Sequence, residues 1–251
     1  MSETSPRLYS DLAWLWPLWG DPAENYGPYC EHVTQLVRKY ARGETRTLLN
    51  IGCGGGKNAF NLKENFIVTG LDISPAMLDL ARQLNPECTF RLDDMRTFDW
   101  LDRFDAVLID DAISYMTSEA DLRAVFERAY THLKPGGVMV CGPDYTKETF
   151  VQNCTRVSRA SSRSKPEHIE VIFVENDFDP DPQDTSYEAA IIYMIREHGR
   201  LRVEHDLHRL GLFPLETWRK LLAEVGFEVH EEVFEAQEGE RDPLTFACFI
   251  P

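Results

Sequence analysis

The sequence lacks paired cysteines, a long apolar run and an excess of basic charge. Its six cysteines, at positions 30, 53, 88, 141, 154 and 248, include no closely spaced pair, so neither a zinc site nor a disulfide framework is indicated. No apolar run approaches the roughly 18 residues of a transmembrane helix, and no basic segment followed by an apolar one opens the chain. We therefore expect a cytoplasmic protein that neither holds a metal nor contacts a membrane.

Basic residues are too few for a nucleic-acid-binding surface. The chain has 42 acidic and 26 basic side chains among 251 residues, and its formal net charge is −16. Such a chain repels phosphate backbones, so we expect no nucleic-acid partner. No internal repeat or low-complexity tract divides the sequence, and its length suits one α/β domain, as a monomer or a homodimer.

What the sequence does contain is an apolar run that ends in glycines. The residues Leu48–Ile51 precede a segment with glycine at positions 52, 54, 55 and 56, after which a helical pattern begins. This order predicts a strand, a tight turn and a helix start. Glycine permits a positive φ and close approach of a ligand to the backbone. The loop is not a dinucleotide fingerprint, because Lys57 stands where that motif needs its third glycine.

The spacing Gly52-x-Gly54-x-Gly56 resembles the first motif of the class I S-adenosylmethionine-dependent methyltransferases. The resemblance implies a seven-stranded, mostly parallel, Rossmann-like α/β sheet with helices on both faces. It also implies S-adenosyl-L-methionine as cofactor, S-adenosyl-L-homocysteine as product, and cofactor contacts from the three glycines and Cys53. An acidic residue usually stands two positions before the first glycine, and Asn50 replaces it here. Asn50 keeps a hydrogen-bonding side chain and is therefore included among the cofactor-binding candidates.

A second apolar run, residues 66–71, ends in Asp72, twenty residues after Gly52. A carboxylate at the end of the second strand can accept hydrogen bonds from both ribose hydroxyls of an adenosine cofactor. Ser74 and Pro75 are typical of a helix N-cap and first helical position. We therefore assign Asp72 and its neighbour Ile73 to the cofactor site, the alternative being that Asp72 only caps the strand end.

Two further segments carry cofactor candidates. The stretch 90–95 resembles the third motif of the family, which implies that Asp94 accepts the adenine amino group and that Met95 packs on the ring. Asp93 is expected to cap the turn. The fourth strand, 104–109, runs into Asp110, and ligands of open parallel sheets lie beyond the carboxyl ends of the strands. The segment 110–116 is therefore expected to border both cofactor and acceptor, and Asp110 is its cofactor-binding candidate.

The first 43 residues are rich in aromatic side chains and precede a helix predicted for Glu31 to Tyr40. In small-molecule methyltransferases such a segment folds over the cofactor and excludes water, and the pattern around Tyr9 and Tyr26 resembles that lid. The alternative is that the aromatic residues only pack the helix onto the sheet. We select Tyr9 and Tyr26 as site candidates.

Residues 44–143 are predicted to form the cofactor-binding core. A helix from Ser118 to His132 ends at the turn 134–137, and the strand 138–141 follows. Residues 214–251 are predicted to form one more helix, capped by Gly226, and two final strands that frame an acidic turn.

Residues 144–213 depart from a minimal core. Segments from His168 to Glu175, Tyr187 to Arg196 and Leu201 to Leu210 read as strands, and the turn at His198-Gly199 suits a hairpin. An acidic, proline-containing loop, 177–182, separates the first two. We expect a small antiparallel sheet inserted after the fifth parallel strand, on the substrate side.

The last inserted strand carries the catalytic candidates. Side chains alternate along a strand, so Asp206 and His208 share one face. The segment 206–213 resembles a strand of amino-sugar N-methyltransferases that pairs an Asp and a His. Methyl transfer needs a nucleophile with a free lone pair, and a neutral His can take its proton. The alternative is a solvated polar face on which His208 hydrogen-bonds Asp206.

Together these patterns predict a methyltransferase that acts on a small molecule, with an amine nitrogen as the favoured acceptor. Two alternatives remain open at this stage. The acceptor could be the oxygen of a hydroxyl or carboxylate, or the chain could be a module that binds S-adenosylmethionine without catalysis.

Overall fold

The computed structural model describes residues 6–162, 169–235 and 244–250, and it contains two β-sheets. The larger sheet has seven strands in the order β10-β11-β5-β4-β1-β2-β3. Its strands are β1 Thr47–Ile51, β2 Ile67–Asp72, β3 Thr89–Leu92, β4 Phe104–Ile109, β5 Leu133–Cys141, β10 Glu228–Val233 and β11 Leu244–Phe249. Only β11 runs antiparallel to its neighbours. The predicted seven-stranded, mostly parallel sheet is confirmed.

Helices cover both faces of this sheet. They are α1 Pro22–Tyr40, α2 Lys57–Leu62, α3 Pro75–Leu84, α4 Glu119–His132 and α5 Leu215–Val225. Apolar side chains of α1, α2 and α3 pack with one face of the sheet, and those of α4 and α5 pack with the other. Because both faces are covered, the central strands are almost continuously apolar rather than alternating.

Helix starts follow the local sequence signals. Ser74 caps α3 by accepting a hydrogen bond from the Met77 N–H at 3.1 Å, and Ser118 caps α4 in the same way. Gly226 ends α5 in the left-handed conformation, with φ of 113°, which glycine adopts without a Cβ penalty. These capping predictions agree with the structure.

The smaller sheet has four antiparallel strands, β6 Cys154–Ser162, β7 Ile169–Phe178, β8 Ser186–Glu197 and β9 Arg200–Gly211. The turn between β8 and β9 places His198 and Gly199 at φ of 50° and 76°, which is the geometry of a two-residue hairpin. The sheet follows β5 in the chain, as expected. In β9 the side chains of Asp206 and His208 are buried and those between and beside them are exposed.

Three details of the sequence prediction were wrong. Strand β6 was not predicted, because most of its residues are exposed on both faces and lack an apolar alternation. Helix α1 begins at Pro22 rather than Glu31, after the N-cap Asp21. The segment 134–137 is an irregular beginning of β5, with a shift in its pairing to β4, rather than a turn outside the strand. The expected strand start at His168 and most of the acidic turn before β11 lie outside the described residues.

The N-terminal segment packs on the smaller sheet. Two short 3-10 helices, Arg7–Tyr9 and Ala13–Leu18, carry buried leucines. These leucines form one apolar cluster with side chains of β7 and β8, among them Phe173 and Tyr193. The cluster fixes the segment 6–19 between the small sheet and the carboxyl end of the large one.

We expect Leu15→Ala to lower the free energy of unfolding by about 2–5 kcal/mol, because Leu15 is fully buried in this cluster and its truncation leaves a cavity. Urea unfolding followed by circular dichroism measures the change. Leu101→Ala is the control, since Leu101 is fully exposed and should change stability by less than about 0.5 kcal/mol. Equal stability of the two variants would contradict the packing role.

Candidate functional site

The glycine loop lies at the carboxyl end of β1 and needs glycine for two physical reasons. Gly52, Gly54 and Gly56 all have positive φ, at 66°, 50° and 81°. A Cβ on Gly52 would lie 2.2 Å from the Cβ of Ala112, closer than any real contact. The loop therefore brings bare backbone to the end of the sheet, where a ligand can approach it.

Asp72 joins this loop to the end of β2. Its Oδ2 accepts a hydrogen bond from the Gly54 N–H at 2.8 Å, and its Oδ1 accepts one from the Ser74 N–H at 2.8 Å. Burial raises the pKa of Asp72, and these backbone donors act against that rise. Because each carboxylate oxygen has two lone pairs, each can accept one further hydrogen bond.

A cavity of about 270 Å³ opens beside these residues. Most of the cofactor candidates from the sequence line its wall; they are Tyr9, Tyr26, Gly52, Cys53, Gly54, Asp72, Ile73, Asp94, Met95 and Asp110. Ile73 is largely exposed, whereas Cys53 is buried. The structure thus brings ten positions from six separate segments to one cavity.

Two candidates, Gly56 and Asn50, do not line the cavity. A Cβ on Gly56 would meet the Asn85 side chain at 2.7 Å and Ala81 at 3.0 Å, so this glycine allows α2 and α3 to approach each other. Asn50 is fully buried inside β1. Its side-chain oxygen and nitrogen have no hydrogen-bond partner among the described residues.

An ion pair stabilises the loop that follows β3. The Arg96 guanidinium hydrogen-bonds the Asp94 carboxylate at 2.6 Å and holds the pKa of Asp94 below its ordinary value. Asp93 has a structural role, because its Oδ2 accepts a hydrogen bond from the Trp100 indole N–H at 3.0 Å. Asp94 rather than Asp93 faces the cavity, together with Met95.

A second cavity, of about 420 Å³, lies between the first and the small sheet. The two cavities share five wall residues, which are Tyr9, Trp16, Tyr26, Asp111 and Tyr115. The rest of the second wall comes from the N-terminal segment, the segment after β5 and all four strands of the small sheet, and it includes Asp144, Tyr145, Glu175 and Tyr187. Two ligands bound in these cavities would therefore meet at the shared residues.

Three acidic residues extend from the first cavity into the second. Asp110 lines the first, Asp111 lines both and Asp144 lines the second. Burial and the charge of Asp111 raise the pKa of Asp110 to about 8. Burial and the charge of Asp144 raise the pKa of Asp111 to about 7, and burial raises that of Asp144 to about 7. Neighbouring carboxylates that cannot all ionise at neutral pH favour the binding of a cation.

His208 stands at the centre of a hydrogen-bonded chain. Its Nε2 lies 2.9 Å from Asp206 Oδ2, and its Nδ1 lies 2.7 Å from the Tyr115 hydroxyl. The hydroxyl oxygens of Tyr115 and Tyr9 are 3.0 Å apart. Asp206 also accepts a hydrogen bond from the Leu8 N–H at 2.9 Å. His208 and both tyrosines line the second cavity, whereas Asp206 lies behind them.

The sequence patterns did not single out several wall residues. Tyr115 and Asp111 lie in the segment 110–116, which the strand-end rule placed at the site without selecting them, and the same rule applied to β5 could have found Asp144. Trp16 lies on the glycine loop, where a Cβ on Gly55 would be 2.3 Å from its ring. No local pattern predicts that contact, because it joins residues far apart in the sequence.

Two absences concern the described part of the chain. No cluster of three or more His, Cys, Asp or Glu side chains in it could hold a metal ion. None of its helices combines the length and apolar character that crossing a membrane requires.

Comparison with known proteins agrees with this geometry. Residues 48–137 match the family described as "Methyltransferase domain". The chain is 28% identical over 221 residues to a dTDP-3-amino-3,6-dideoxy-alpha-D-glucopyranose N,N-dimethyltransferase of Streptomyces fradiae, covering 82% of this chain and 79% of that one. It is 34% identical over 121 residues to a dTDP-4-amino-2,3,4,6-tetradeoxy-D-glucose N,N-dimethyltransferase of Saccharopolyspora spinosa, covering 47% and 48%.

Solved structures have the same fold. DesVI of Streptomyces venezuelae superposes with a TM-score of 0.82 at 24% identity and covers 97% of this chain and 98% of its own. The sugar N-methyltransferase KedS8 from Streptoalloteichus superposes with a TM-score of 0.81 at 23% identity, covering 100% and 96%.

The fold, the glycine loop and the cavity beside it agree with these similarities. Residues 48–137 carry the methyltransferase domain, and the chain is an S-adenosylmethionine-dependent methyltransferase whose relatives include sugar N,N-dimethyltransferases.

We expect Asp144→Asn to stabilise the unliganded protein at pH 8. The folded pKa of Asp144 is raised from 3.8 to about 7, so its contribution to stability is lost as the pH rises from about 4 to 7. Because Asp144 is only partly buried and lines a cavity, the gain should be about 1–2 kcal/mol rather than the full shift. Thermal unfolding at pH 5 and pH 8 measures it, with the larger gain at pH 8.

Asp105→Asn is the matched control with the opposite sign. Burial raises the pKa of Asp105, but hydrogen bonds from Lys134 and Thr47 lower it to about 2. Its carboxylate therefore stabilises the protein above pH 4, and the variant should be destabilised at pH 8. A destabilised Asp144→Asn protein at pH 8 would contradict the inferred electrostatics.

Proposed function

We propose that this enzyme transfers the methyl group of S-adenosylmethionine to the amine nitrogen of a small molecule of the amino-sugar type. The observation that carries the proposal is the acidic wall of the second cavity. Asp111, Asp144 and Glu175 line it, and Arg156, which also lines it, pairs with Glu175 at 3.1 Å and with Asp177 at 2.6 Å. Such a wall attracts a protonated amine and repels a carboxylate.

The remaining wall and the relatives support a sugar-like acceptor. Tyr145 and Tyr187 form aromatic surfaces in this cavity, with ring centroids 5.7 Å apart, and such rings bury the apolar faces of a bound molecule. The relatives from Streptomyces fradiae and Saccharopolyspora spinosa act on nucleotide-linked amino sugars, as their names state. We infer the same chemical group, an amine on a sugar-sized ring, for this chain.

The cofactor is proposed to occupy the first cavity. Asp72 would accept the ribose hydroxyls with its remaining lone pairs, and Asp94 with Met95 would bind adenine. The glycines 52 and 54 provide bare backbone beside the tail of the cofactor. The sulfonium would lie near Asp110 and Asp111, whose negative charge suits it. Asp111 and Tyr115, which line both cavities, would hold this part of the cofactor next to an acceptor in the second cavity.

The reaction must balance one proton as well as one methyl group. A protonated amine first loses a proton to free its lone pair. The nitrogen then forms its bond to the methyl carbon while the carbon–sulfur bond breaks, and the electron pair of that bond stays on sulfur. His208 is the proposed proton acceptor, reached through the Tyr115 hydroxyl 2.7 Å from its Nδ1. Asp206 orients the imidazole and stabilises its charged form.

Alignment is expected to contribute more than proton transfer. Holding the amine, the methyl carbon and the sulfur in line can supply roughly 7–11 kcal/mol of the barrier. In this site Tyr9, Trp16 and Tyr26 would provide that alignment, because they contact both cavities.

The experiment that tests the proposal uses methyl-labelled S-adenosylmethionine and a panel of matched amines, alcohols and carboxylic acids. The panel includes amino sugars with and without a nucleoside diphosphate. We expect label in an amine. Label in an ether or ester instead would establish an O-methyltransferase, and tight cofactor binding without any transfer would favour a module that binds but does not catalyse. Either result overturns the amine assignment.

We expect His208→Ala to lower turnover by roughly 10²–10⁴-fold, the usual contribution of a general base, and Tyr115→Phe to lower it as well because the relay loses its hydroxyl. Cofactor affinity should stay nearly unchanged in His208→Ala, since His208 lines only the second cavity. Steady-state kinetics and calorimetry separate the two effects. Unchanged turnover in His208→Ala would remove it from the mechanism.

We expect Asp72→Ala to weaken cofactor binding by an order of magnitude or more. The variant loses both ribose interactions and the hydrogen bonds that hold Gly54 and Ser74, each worth roughly 1.5–3 kcal/mol when a charged group takes part. Isothermal titration with S-adenosylhomocysteine measures the effect. Arg91→Ala is a control, since Arg91 pairs with Asp102 away from the cavity. Equal affinities of the two variants would contradict the role of Asp72.

A further inference from the structure

Lys57 is a buried lysine on the wall of the cofactor cavity. It is the first residue of α2 and only 4% exposed. Its Nζ lies 5.0 Å from the ring centroid of Trp16 and 5.1 Å from that of Tyr26, and it donates a hydrogen bond to the Trp19 carbonyl. Two aromatic rings and one carbonyl therefore surround the ammonium group.

No acidic side chain among the described residues forms an ion pair with Lys57. The charge that raises its pKa is that of Asp21, whose Oδ1 already accepts hydrogen bonds from the N–H groups of Ala23 and Glu24. Burial lowers the pKa of Lys57 to about 8. Lysine is almost never fully buried without a partner, and the ammonium has more N–H donors than the one the Trp19 carbonyl uses.

Lys57 differs from the other charged residues of the cavity wall in its sign of charge or in its lack of an ion-pair partner among the described residues. Its wall contains two basic residues, Lys57 and Arg96, and Arg96 pairs with Asp94 at 2.6 Å and with Asp121 at 3.6 Å. The remaining charged residues of the wall, Asp72, Asp110 and Asp111, are acidic. An anionic group entering this cavity would therefore find one cation that is not already paired.

S-adenosylmethionine has one anionic group, the carboxylate at the end of its methionine chain. We propose that the Lys57 ammonium binds this carboxylate and so fixes the methionine tail beneath Trp16 and Tyr26. This proposal rests on the placement of the cofactor in the first cavity and not on the identity of the acceptor. With Asp72 at the ribose and Lys57 at the carboxylate, the cofactor is held on both sides of its sulfur.

Lys57 also connects the cofactor to the segment that covers it. Its ammonium contacts the Trp19 carbonyl and the Trp16 ring, and both residues belong to the segment 6–19. An ammonium that bonds the carboxylate with its remaining N–H groups would hold this segment and the cofactor together. The positive charge thus has a positioning role that an uncharged side chain of similar length cannot supply.

The test compares two cofactors that differ by the carboxylate alone. S-adenosylmethionine and decarboxylated S-adenosylmethionine are titrated calorimetrically into the full-length wild type and Lys57→Met. We expect the substitution to weaken S-adenosylmethionine about 10–100-fold, as for loss of a hydrogen bond between charged groups. Binding of the decarboxylated form should change little, and Lys57→Arg should recover part of the lost affinity.

Lys63→Met is the matched control, because Lys63 lies at the other end of α2 and pairs with Glu87 at 2.6 Å. It should leave both affinities unchanged. If Lys57→Met weakens both cofactors equally, Lys57 serves only to anchor the covering segment, and the proposal is overturned. It is also overturned if neither affinity changes. If the wild type methylates an oxygen rather than an amine, the amine assignment fails. The comparison of the two cofactors still tests Lys57 in that case, because it measures binding and not methyl transfer.

Discussion

The site depends on the carboxylate of Asp72. This side chain joins the glycine loop after β1 to the turn after β2. Hydrogen bonds from Gly54 and Ser74 reach its two oxygens. They fix the glycine loop against the turn into α3, so that the ends of β1 and β2 form one wall. A carboxylate suits this position because it accepts from both sides and still has lone pairs for a ligand.

The acidic residues of the site lower the stability of the unliganded protein. Burial, and after it the charge of a neighbouring carboxylate, raises the pKa values of Asp110, Asp111 and Asp144. The proposed sulfonium and ammonium groups would offset that cost of holding buried negative charge, so the feature that destabilises the unliganded protein would favour its ligands. Stability is lost where binding is gained, which is common at functional sites.

Local signals in the sequence were sufficient to predict most of the wall of the first cavity. Three local patterns carried the prediction: the glycine loop, the carboxylate twenty residues after it, and the Ser-Pro helix start. Each is a short stretch whose own residues determine its backbone conformation. Strand β6 escaped prediction because an exposed edge strand needs no apolar pattern. The start of α1 was hidden by Gly27 and Pro28, which are usual helix breakers, although Asp21 and Pro22 mark it. The setting of Lys57 depends on aromatic residues distant in sequence, and no spacing rule contains that information.

The short stretch around Tyr9 touches both halves of the enzyme. The Ser74 hydroxyl donates a hydrogen bond to the Tyr9 carbonyl beside the first cavity, and the Tyr9 hydroxyl lies 3.0 Å from that of Tyr115, which lines both cavities. With the cofactor in the first cavity and the acceptor in the second, as proposed, exchange of the spent cofactor would loosen the same stretch that contacts the acceptor. If a nitrogen is to receive two methyl groups, the singly methylated compound would therefore be set free between them and captured again. Double methylation by this chain would be distributive, with the intermediate accumulating in solution before the final product.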